Sequence, residues 1–182
     1  LVRTCEKGGM DLVKALVEGH DVEKTGMSLD EMLSKEGWNS SRTPLQSAAE
    51  NDQLEIVQFL VKCCPSVDLI GQTNSEYGQN SLHLAAIHSW NNVQTLQFLI
   101  DNYNGNIKTI INQKTKYGYT PLDYAYNEYN DSPIKNEIVS LLRKYGGKAN
   151  YYDKNGKKVG KGKGDLNDLR IACKKGDLEE VK

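Results

Sequence analysis

The chain reads as an all-α repeat solenoid, and two observations predict it. Residues 45–60, Leu-Gln-Ser-Ala-Ala-Glu-Asn-Asp-Gln-Leu-Glu-Ile-Val-Gln-Phe-Leu, align without a gap on residues 1–16. That register places Leu1 on Leu45, Cys5 on Ala49, Met10 on Leu54, and Leu12 and Val13 on Ile56 and Val57. Further copies start at Leu82 and Leu122, and a broken fifth starts at Leu169. A unit recurring every roughly 35–45 residues cannot bury a core alone and becomes stable only by stacking on its neighbours.

Each copy follows one grammar: a turn containing Gly, a short helix with two small residues, a polar loop and a second helix. After the first copy, residues 18–38 form a longer connection than the later ones, and Ser28-Leu29-Asp30-Glu31 is a capping box that predicts a short helix over Leu29–Ser34. The second copy opens at Thr43-Pro44-Leu45 and the fourth at Thr120-Pro121-Leu122. Thr is a good helix N-cap, and Pro at the first helical position has no amide hydrogen to leave unpaired. Asn80-Ser81-Leu82 is the degraded form of this opening in the third copy. Ala48, Ala49, Ala85 and Ala86 are small because the next unit packs directly on them. Apolar residues at helical spacing predict second helices over Leu54–Lys62, Val93–Asn102 and Ile134–Tyr145.

The spacings place unit boundaries at 1–36, 37–74, 75–114, 115–152 and a partial 153–182, all within one repeat domain. The third unit has about two extra residues around Ser89-Trp90-Asn91-Asn92, and the fourth about five around residues 128–133. The last unit begins at Asp153-Lys154-Asn155-Gly156, but a Lys/Gly-rich insertion over 157–168 replaces its opening.

The segments Tyr77-Gly78-Gln79-Asn80-Ser81-Leu82-His83-Leu84-Ala85-Ala86 and Tyr117-Gly118-Tyr119-Thr120-Pro121-Leu122-Asp123-Tyr124-Ala125 resemble ankyrin repeats. That family's pattern is D-x-x-G-x-T-P-L-H-x-A-A followed by a V-x-x-L-L helix. The resemblance implies helix-turn-helix pairs with projecting β-hairpin fingers, stacked into a curved array. It also implies that His83, in the family's T-P-L-H position, hydrogen-bonds the backbone turn of a neighbouring repeat. Gln46 and Asp123 hold the equivalent positions and are expected to do the same work.

Composition excludes several function classes. With 23 basic and 24 acidic residues, the overall charge favours neither nucleic acid nor a membrane surface. No apolar run approaches the roughly 18–20 residues of a membrane-spanning helix, and there is no signal peptide. Cys5 and Cys173 take the small-residue position of the repeat, and Cys63 and Cys64 have no metal-ligand spacing. This thiol usage fits a reducing compartment, so an intracellular, cytoplasmic location is expected, although the triplets Asn39-Ser40-Ser41 and Asn130-Asp131-Ser132 match a glycosylation sequon. A start at Leu1 rather than Met, with a helical pattern still running at Lys182, reads as part of a longer chain.

Catalytic motifs do not survive inspection. Gly160-Lys161-Gly162-Lys163-Gly164 lacks the Ser or Thr and the strand-to-helix setting of a phosphate loop, and reads as a flexible insertion. Residues 153–156 place Gly fourth rather than sixth and lysines where calcium needs oxygens. His20 and His88 have no ligand-spaced partners, and no G-x-S-x-G nucleophile motif is present. No enzyme activity, cofactor or metal is expected, and the chain is expected to be monomeric in isolation.

The expected function is binding of another protein through the concave groove that the resemblance implies between the fingers and the inner helices. Carried over by position, the resemblance implies contacts from Asn39 and Arg42 with Glu50 and Asn51, and from Glu76, Tyr77 and Gln79 with Ile87 and His88. It further implies Lys116, Tyr117 and Tyr119 with Asn127 and Glu128. Trp38, Trp90 and Tyr129 lie beside these positions in sequence, and Tyr152 begins the last finger. Tyr and Trp anchor interfaces because they bury much area at low entropic cost. Two alternatives stand beside this reading: a regulatory or targeting arm of a larger enzyme, channel or effector, and binding of an acidic polymer or membrane through the lysines of the insertion.

Overall fold

The computed structural model describes residues 1–37, 41–65, 67–87, 93–127 and 133–160, apart from the Asn127 side chain. The broken copy at Leu169, Cys173 and most of the Lys/Gly-rich insertion lie outside these residues. The helices come in pairs: α1 (Val2–Lys7) with α2 (Met10–Glu18), α5 (Pro44–Glu50) with α6 (Leu54–Cys63), α7 (Ser81–Ile87) with α8 (Gln94–Asp101), and α10 (Pro121–Asn127) with α11 (Pro133–Lys144). Short helices α3 (Val22–Thr25), α4 (Leu29–Ser34) and α9 (Ile107–Ile110) fill the connections. The first helices pack in one row, α1 on α5 on α7 on α10, while α2, α6 and α8 pack as a second layer. The all-α solenoid is therefore the observed architecture.

Local chemistry sets the helix ends. Thr43 caps α5 through a capping box with Gln46, and Pro44 takes the first helical position. At α10 the backbone N–H of Asp123 donates to Thr120 Oγ1 at 3.2 Å, and the Thr120 N–H donates to the Asp123 carboxylate at 2.9 Å. The degraded opening works in the same way, because the His83 N–H donates to Asn80 Oδ1 at 3.1 Å and the Asn80 N–H to His83 Nδ1 at 3.2 Å. Helix α4 has the expected bounds, with both hydrogen bonds of the Ser28–Glu31 capping box. The second helices differ from expectation by one residue, at one end of α6 and at both ends of α8 and α11. Val93 and Asn102 turn out to be the caps of α8, and Pro133 rather than Ile134 starts α11, as suits a residue with no amide hydrogen.

The small residues behave as the stacking requires. Cys5, Ala48, Ala49, Ala85, Ala86 and Ala125 are buried where one first helix meets the next. Leu45, Leu82 and Leu122 anchor those helices from below, and Ile56, Val57, Leu60, Leu96, Leu99, Ile138 and Leu142 bring the second layer into the same continuous core. Burial pushes the Cys5 thiol up to about 12, and Cys5, Cys63 and Cys64 are all free.

The projecting β-hairpin fingers are not confirmed: among the described residues no strand is assigned, and the elements at 74–79 and 115–119 are compact turns. The turn at 74–79 is closed by the Asn74 N–H donating to the Gln79 carbonyl at 2.8 Å, and that at 115–119 by Thr115 N–H to Tyr119 O at 2.9 Å. Helices α7 and α10 start at Ser81 and Pro121, soon after these bonds. The last turn is longer: Asp153 N–H donates to Lys157 O, Val159 N–H donates to Tyr151 O, and Tyr152 and Lys158 form an isolated antiparallel bridge.

Successive units are joined by one recurring hydrogen bond, buried at His83 and at least partly buried at Gln46 and Asp123. Gln46 Nε2 on α5 donates to the carbonyls of Gln72 at 2.7 Å and Gln79 at 3.3 Å, both in the next turn region. His83 on α7 reaches the Tyr119 carbonyl at 3.2 Å. His83 Nδ1 sits between the Asn80 N–H at 3.2 Å and Asn80 Oδ1 at 2.7 Å, and Nε2 faces the Tyr119 carbonyl, an acceptor that pairs with it when Nε2 carries the proton. Asp123 on α10 reverses the polarity, accepting from the Asn150 N–H and the Tyr151 N–H, each at 2.8 Å from Oδ1. The three expected hooks are thus all present.

His83 is wholly buried, and desolvation holds its pKa down at about 4, below the ordinary 6.5. The unfolded chain therefore takes up a proton below pH 6.5 that the folded chain refuses. Stability from this residue is complete above pH 6.5 and is lost as pH falls towards 4, by about 3 kcal/mol in full. Urea midpoints between pH 7 and 4.5 should fall more steeply for the native chain than for His83→Gln, which installs the residue found at position 46; parallel slopes would contradict this.

Candidate functional site

The turns stand side by side because each one bonds to the next. Arg42, at the start of the row, forms a two-point ion pair with Glu50 on α5, with Nη2 at 2.7 Å from Oε1 and Nε against Oε2. Ser41 Oγ crosses to the Glu76 carboxylate, and Glu36 accepts from both the backbone and the hydroxyl of Ser75. The Lys116 N–H donates to the Tyr77 carbonyl at 2.9 Å, and its ammonium donates to the Ser75 carbonyl. Tyr151 Oη then donates to the Tyr117 carbonyl at 3.2 Å. The order 36–42, 74–79, 115–119 and 151–159 is fixed by these contacts.

Glycine is required at the crossings. Gly78 and Gly118 have φ of 70° and 86°, in the left-handed region, and a Cβ on Gly118 would lie 2.4 Å from Tyr151 Oη. Within each turn one side chain gathers the amides. Asn74 Oδ1 accepts from Tyr77 and Gln79, Thr115 Oγ1 accepts from Tyr119, and Asp153 Oδ1 accepts from Asn155 and Lys157.

The sequence-derived contact residues separate into three groups. Glu76 and Lys116 are exposed, Tyr77 and Tyr117 are half-buried, and the two tyrosine rings lie 6.4 Å apart, tilted by 41°. Hydrogen bonds from Ser41 and then the Tyr77 hydroxyl hold Glu76 below the usual carboxylate range. The same bond to the Glu76 carboxylate, more than burial, pushes the Tyr77 phenol up to about 12. Asn51 is exposed and caps α5, donating to the Ser47 carbonyl at 2.9 Å; Ile87 is half-buried against the core. Tyr152 is half-buried, stacked on Tyr126 at 5.3 Å and 28°.

Gln79 and Tyr119 form the second group, and the structure corrects both. Gln79 is 5% exposed, donating to Tyr124 Oη at 3.1 Å and accepting from Asn74 Nδ2. Tyr119 is 1% exposed, packed against Tyr124 and Tyr151 with centroids 5.8 and 4.9 Å away. The reason is the alternation through the turn: Gly118 reverses the chain, so Tyr117 is left at the rim and Tyr119 is carried inward ahead of the helix. Arg42 and Glu50 are partly in this class, since they neutralise each other. The third group, Trp38, Asn39, His88, Trp90, Glu128 and Tyr129, lies outside the described residues, as does the side chain of Asn127.

Sequence reasoning missed several members of the row. Ser41, Glu36 and Ser75 carry no aromatic or charge-run signal. Tyr151 adjoins the chosen Tyr152, and only the next turn's proximity gives it a role. Arg143 on α11 lies over the Tyr126 ring at 5.6 Å and donates to the Lys154 carbonyl, another contact between distant segments.

The arrangement offers contact surface and little chemistry. Among the described residues no three His, Cys, Asp or Glu side chains gather to hold a metal ion. A cleft of about 240 Å³ between the ends of α6 and α8 is lined by Val61, Val67, Leu69, Ile70 and Tyr103, with Cys64 as its thiol. Burial pushes that thiol up to about 12, which leaves it protonated and a poor nucleophile at neutral pH. Among the described residues, no helix is long and apolar enough to cross a membrane.

The positions of Tyr117 and Tyr119 predict opposite outcomes for one substitution. Tyr119→Ala should lower unfolding free energy by about 3–5 kcal/mol by opening a core cavity. Tyr117→Ala should cost about 1 kcal/mol or less, as surface changes do. Chemical denaturation of both variants checks this, and equal losses would contradict the assignment.

A family model for ankyrin repeats matches residues 1–111 in three copies. A comparison with curated proteins finds no match.

Proposed function

The chain belongs to the ankyrin-repeat family, and on that premise we propose that it is a non-catalytic protein-binding module whose contact surface is the row of turns. Ankyrin repeats are generally protein–protein interaction modules. The observation that supports the location is the pair Tyr77 and Tyr117: two half-exposed rings 6.4 Å apart on adjacent turns, with exposed Glu76 and Lys116 beside them. Aromatic anchors flanked by charged residues have the composition of an interface centre and rim.

The mechanism is presentation by a preformed surface. The backbone bonds between turns and the buried hooks from Gln46, His83 and Asp123 hold the row before any partner arrives. Little backbone entropy is then lost on association, so a modest area can give useful affinity. Lys116 is the charged residue best placed to select a partner. Arg42 is less so, because Glu50 already occupies its guanidinium.

Capture of partners from lysate should compare the native chain with Tyr77→Ala/Tyr117→Ala, leaving Tyr119 intact because its removal would damage the core. The expected result is a protein retained by the native chain and bound at least about tenfold more weakly by the variant, which stays folded with a thermal midpoint lowered by only a few degrees. Equal retention by both would remove the turn row as the site.

A further inference from the structure

The first unit differs from the others on its outer face. Aligned by the repeat, Leu12 and Leu16 of α2 take the positions of Ile56 and Leu60 of α6. The same positions hold Thr95 and Leu99 in α8, and Ile138 and Leu142 in α11. The six residues of the later units are all buried, whereas Leu12 is 55% and Leu16 39% exposed. Among the described residues, three of the four exposed large apolar side chains, these two and Val22, belong to the first unit.

Contacts in the later units show what these positions face. Thr95 Oγ1 donates to Asp52 Oδ1 at 2.6 Å, and Asp52 stands between α5 and α6 of the preceding unit. One unit earlier, Gln53 at the start of α6 lies over the turn between α1 and α2, its Oε1 2.6 Å from where a Cβ on Gly8 would stand. The second helices also pack directly, α2 on α6 and α6 on α8. The edge of α2 that carries Leu12 is thus the edge that α8 turns towards the unit before it. The first-helix layer behaves alike. Exposed Arg3 takes the position of Tyr124, whose hydroxyl accepts from Gln79 Nε2 at 3.1 Å and whose ring meets His83 edge-on at 5.7 Å. Gln79 and His83 both belong to the unit before Tyr124, so a polar head at this position is met by the preceding turn.

We propose that the outer face of α1 and α2 is a stacking face that takes another helix pair of this repeat type, carried on the same polypeptide ahead of Leu1. Its second helix covers Leu12 and Leu16 with an apolar stripe, and its turn supplies an acceptor for Arg3. A unit that ends a stack has a polar outer face, because an apolar one would be left in water. Leu12 and Leu16 are the reverse of that. An unrelated helix could cover the two leucines, but a helix pair in repeat register also reaches α1 and Arg3, continuing the interface already made between the later units. This face is separate from the row of turns, and the proposal stands whether or not that row binds a protein.

Adding a copy of residues 37–81 directly ahead of Leu1 tests this, because Ser81 then precedes Leu1 as it precedes Leu82. The extended chain should unfold in one cooperative transition, with a thermal midpoint about 5 °C or more above that of residues 1–182, and the amides of α2 should gain hydrogen-exchange protection. Leu12→Glu/Leu16→Glu should abolish that gain while moving the midpoint of the unextended chain by only a few degrees. A separate transition for the added residues, an unchanged midpoint, or an equal gain with the glutamates in place would overturn the proposal. So would a dimer of the unextended chain in sedimentation equilibrium that the same glutamates dissociate, since a second copy would then cover the face. In the gene, the reading frame ahead of Leu1 should encode a further opening of the Thr-Pro-Leu kind roughly 35–45 residues upstream, and a frame without one would equally overturn it.

Discussion

The structure depends on a hydrogen bond, buried or partly buried, made from one position of the first helices α5, α7 and α10 to the backbone of the following turn. Gln46, His83 and Asp123 are three different side chains, yet each does this work. The constraint behind it is general: a turn pressed against a neighbour has polar backbone groups that water cannot reach, and leaving one unpaired costs about 1–3 kcal/mol. The stack supplies a donor for a carbonyl from Gln46 and His83, and an acceptor for two amides from Asp123. Because position and backbone geometry recur while the chemistry varies, the bond sets the spacing of the units, and the small residues at Ala49, Ala86 and Cys5 allow the helices to close around it.

Everything that makes the surface usable follows from that anchoring. Turns of five or six residues have too few internal bonds to hold a conformation by themselves. Here they are held from behind by the hooks and from the side by Lys116 on Tyr77 and Tyr151 on Tyr117. Side chains on such turns divide sharply between rim and core, as Tyr117 and Tyr119 show with one glycine between them. A quasi-one-dimensional stack of this kind distributes stability over nearest-neighbour contacts. Surface substitutions at the rim can then change binding while leaving the array intact.

The repeat, the helix pairs and the hooks were legible in the sequence because each is written several times over. Alignment of the copies that start at Leu45, Leu82 and Leu122 places Gln46, His83 and Asp123 in register, and the capping residues Thr43, Thr120 and Ser28 mark helix starts by their own chemistry. The surface was only half legible. Periodicity does not distinguish Tyr119 from Tyr117, since both flank Gly118, and the burial of one follows from the path of the turn against Tyr124 and Tyr151. Arg42 and Glu50 read as two free charges because they stand eight positions apart, and only the helix that ends at Glu50 brings them together. The expected β-hairpin fingers are not confirmed at 74–79 and 115–119, where Ser81 and Pro121 begin their helices soon after the closing bond, while the longer turn at 151–159 makes an antiparallel bridge.

The central claim is that coupling between units runs through these hooks, and native-state hydrogen exchange on Asp123→Ala tests it most directly. Removing the carboxylate takes away the acceptor for the Asn150 and Tyr151 amides and leaves the bonds of α5, α6 and the 74–79 turn untouched. The expected result is a selective loss of protection at Asn150 and Tyr151 together with the adjoining 151–159 turn, while the amides of α5 and α6 keep theirs. Retained protection at Asn150 and Tyr151, or an equal loss across the whole stack, would contradict it.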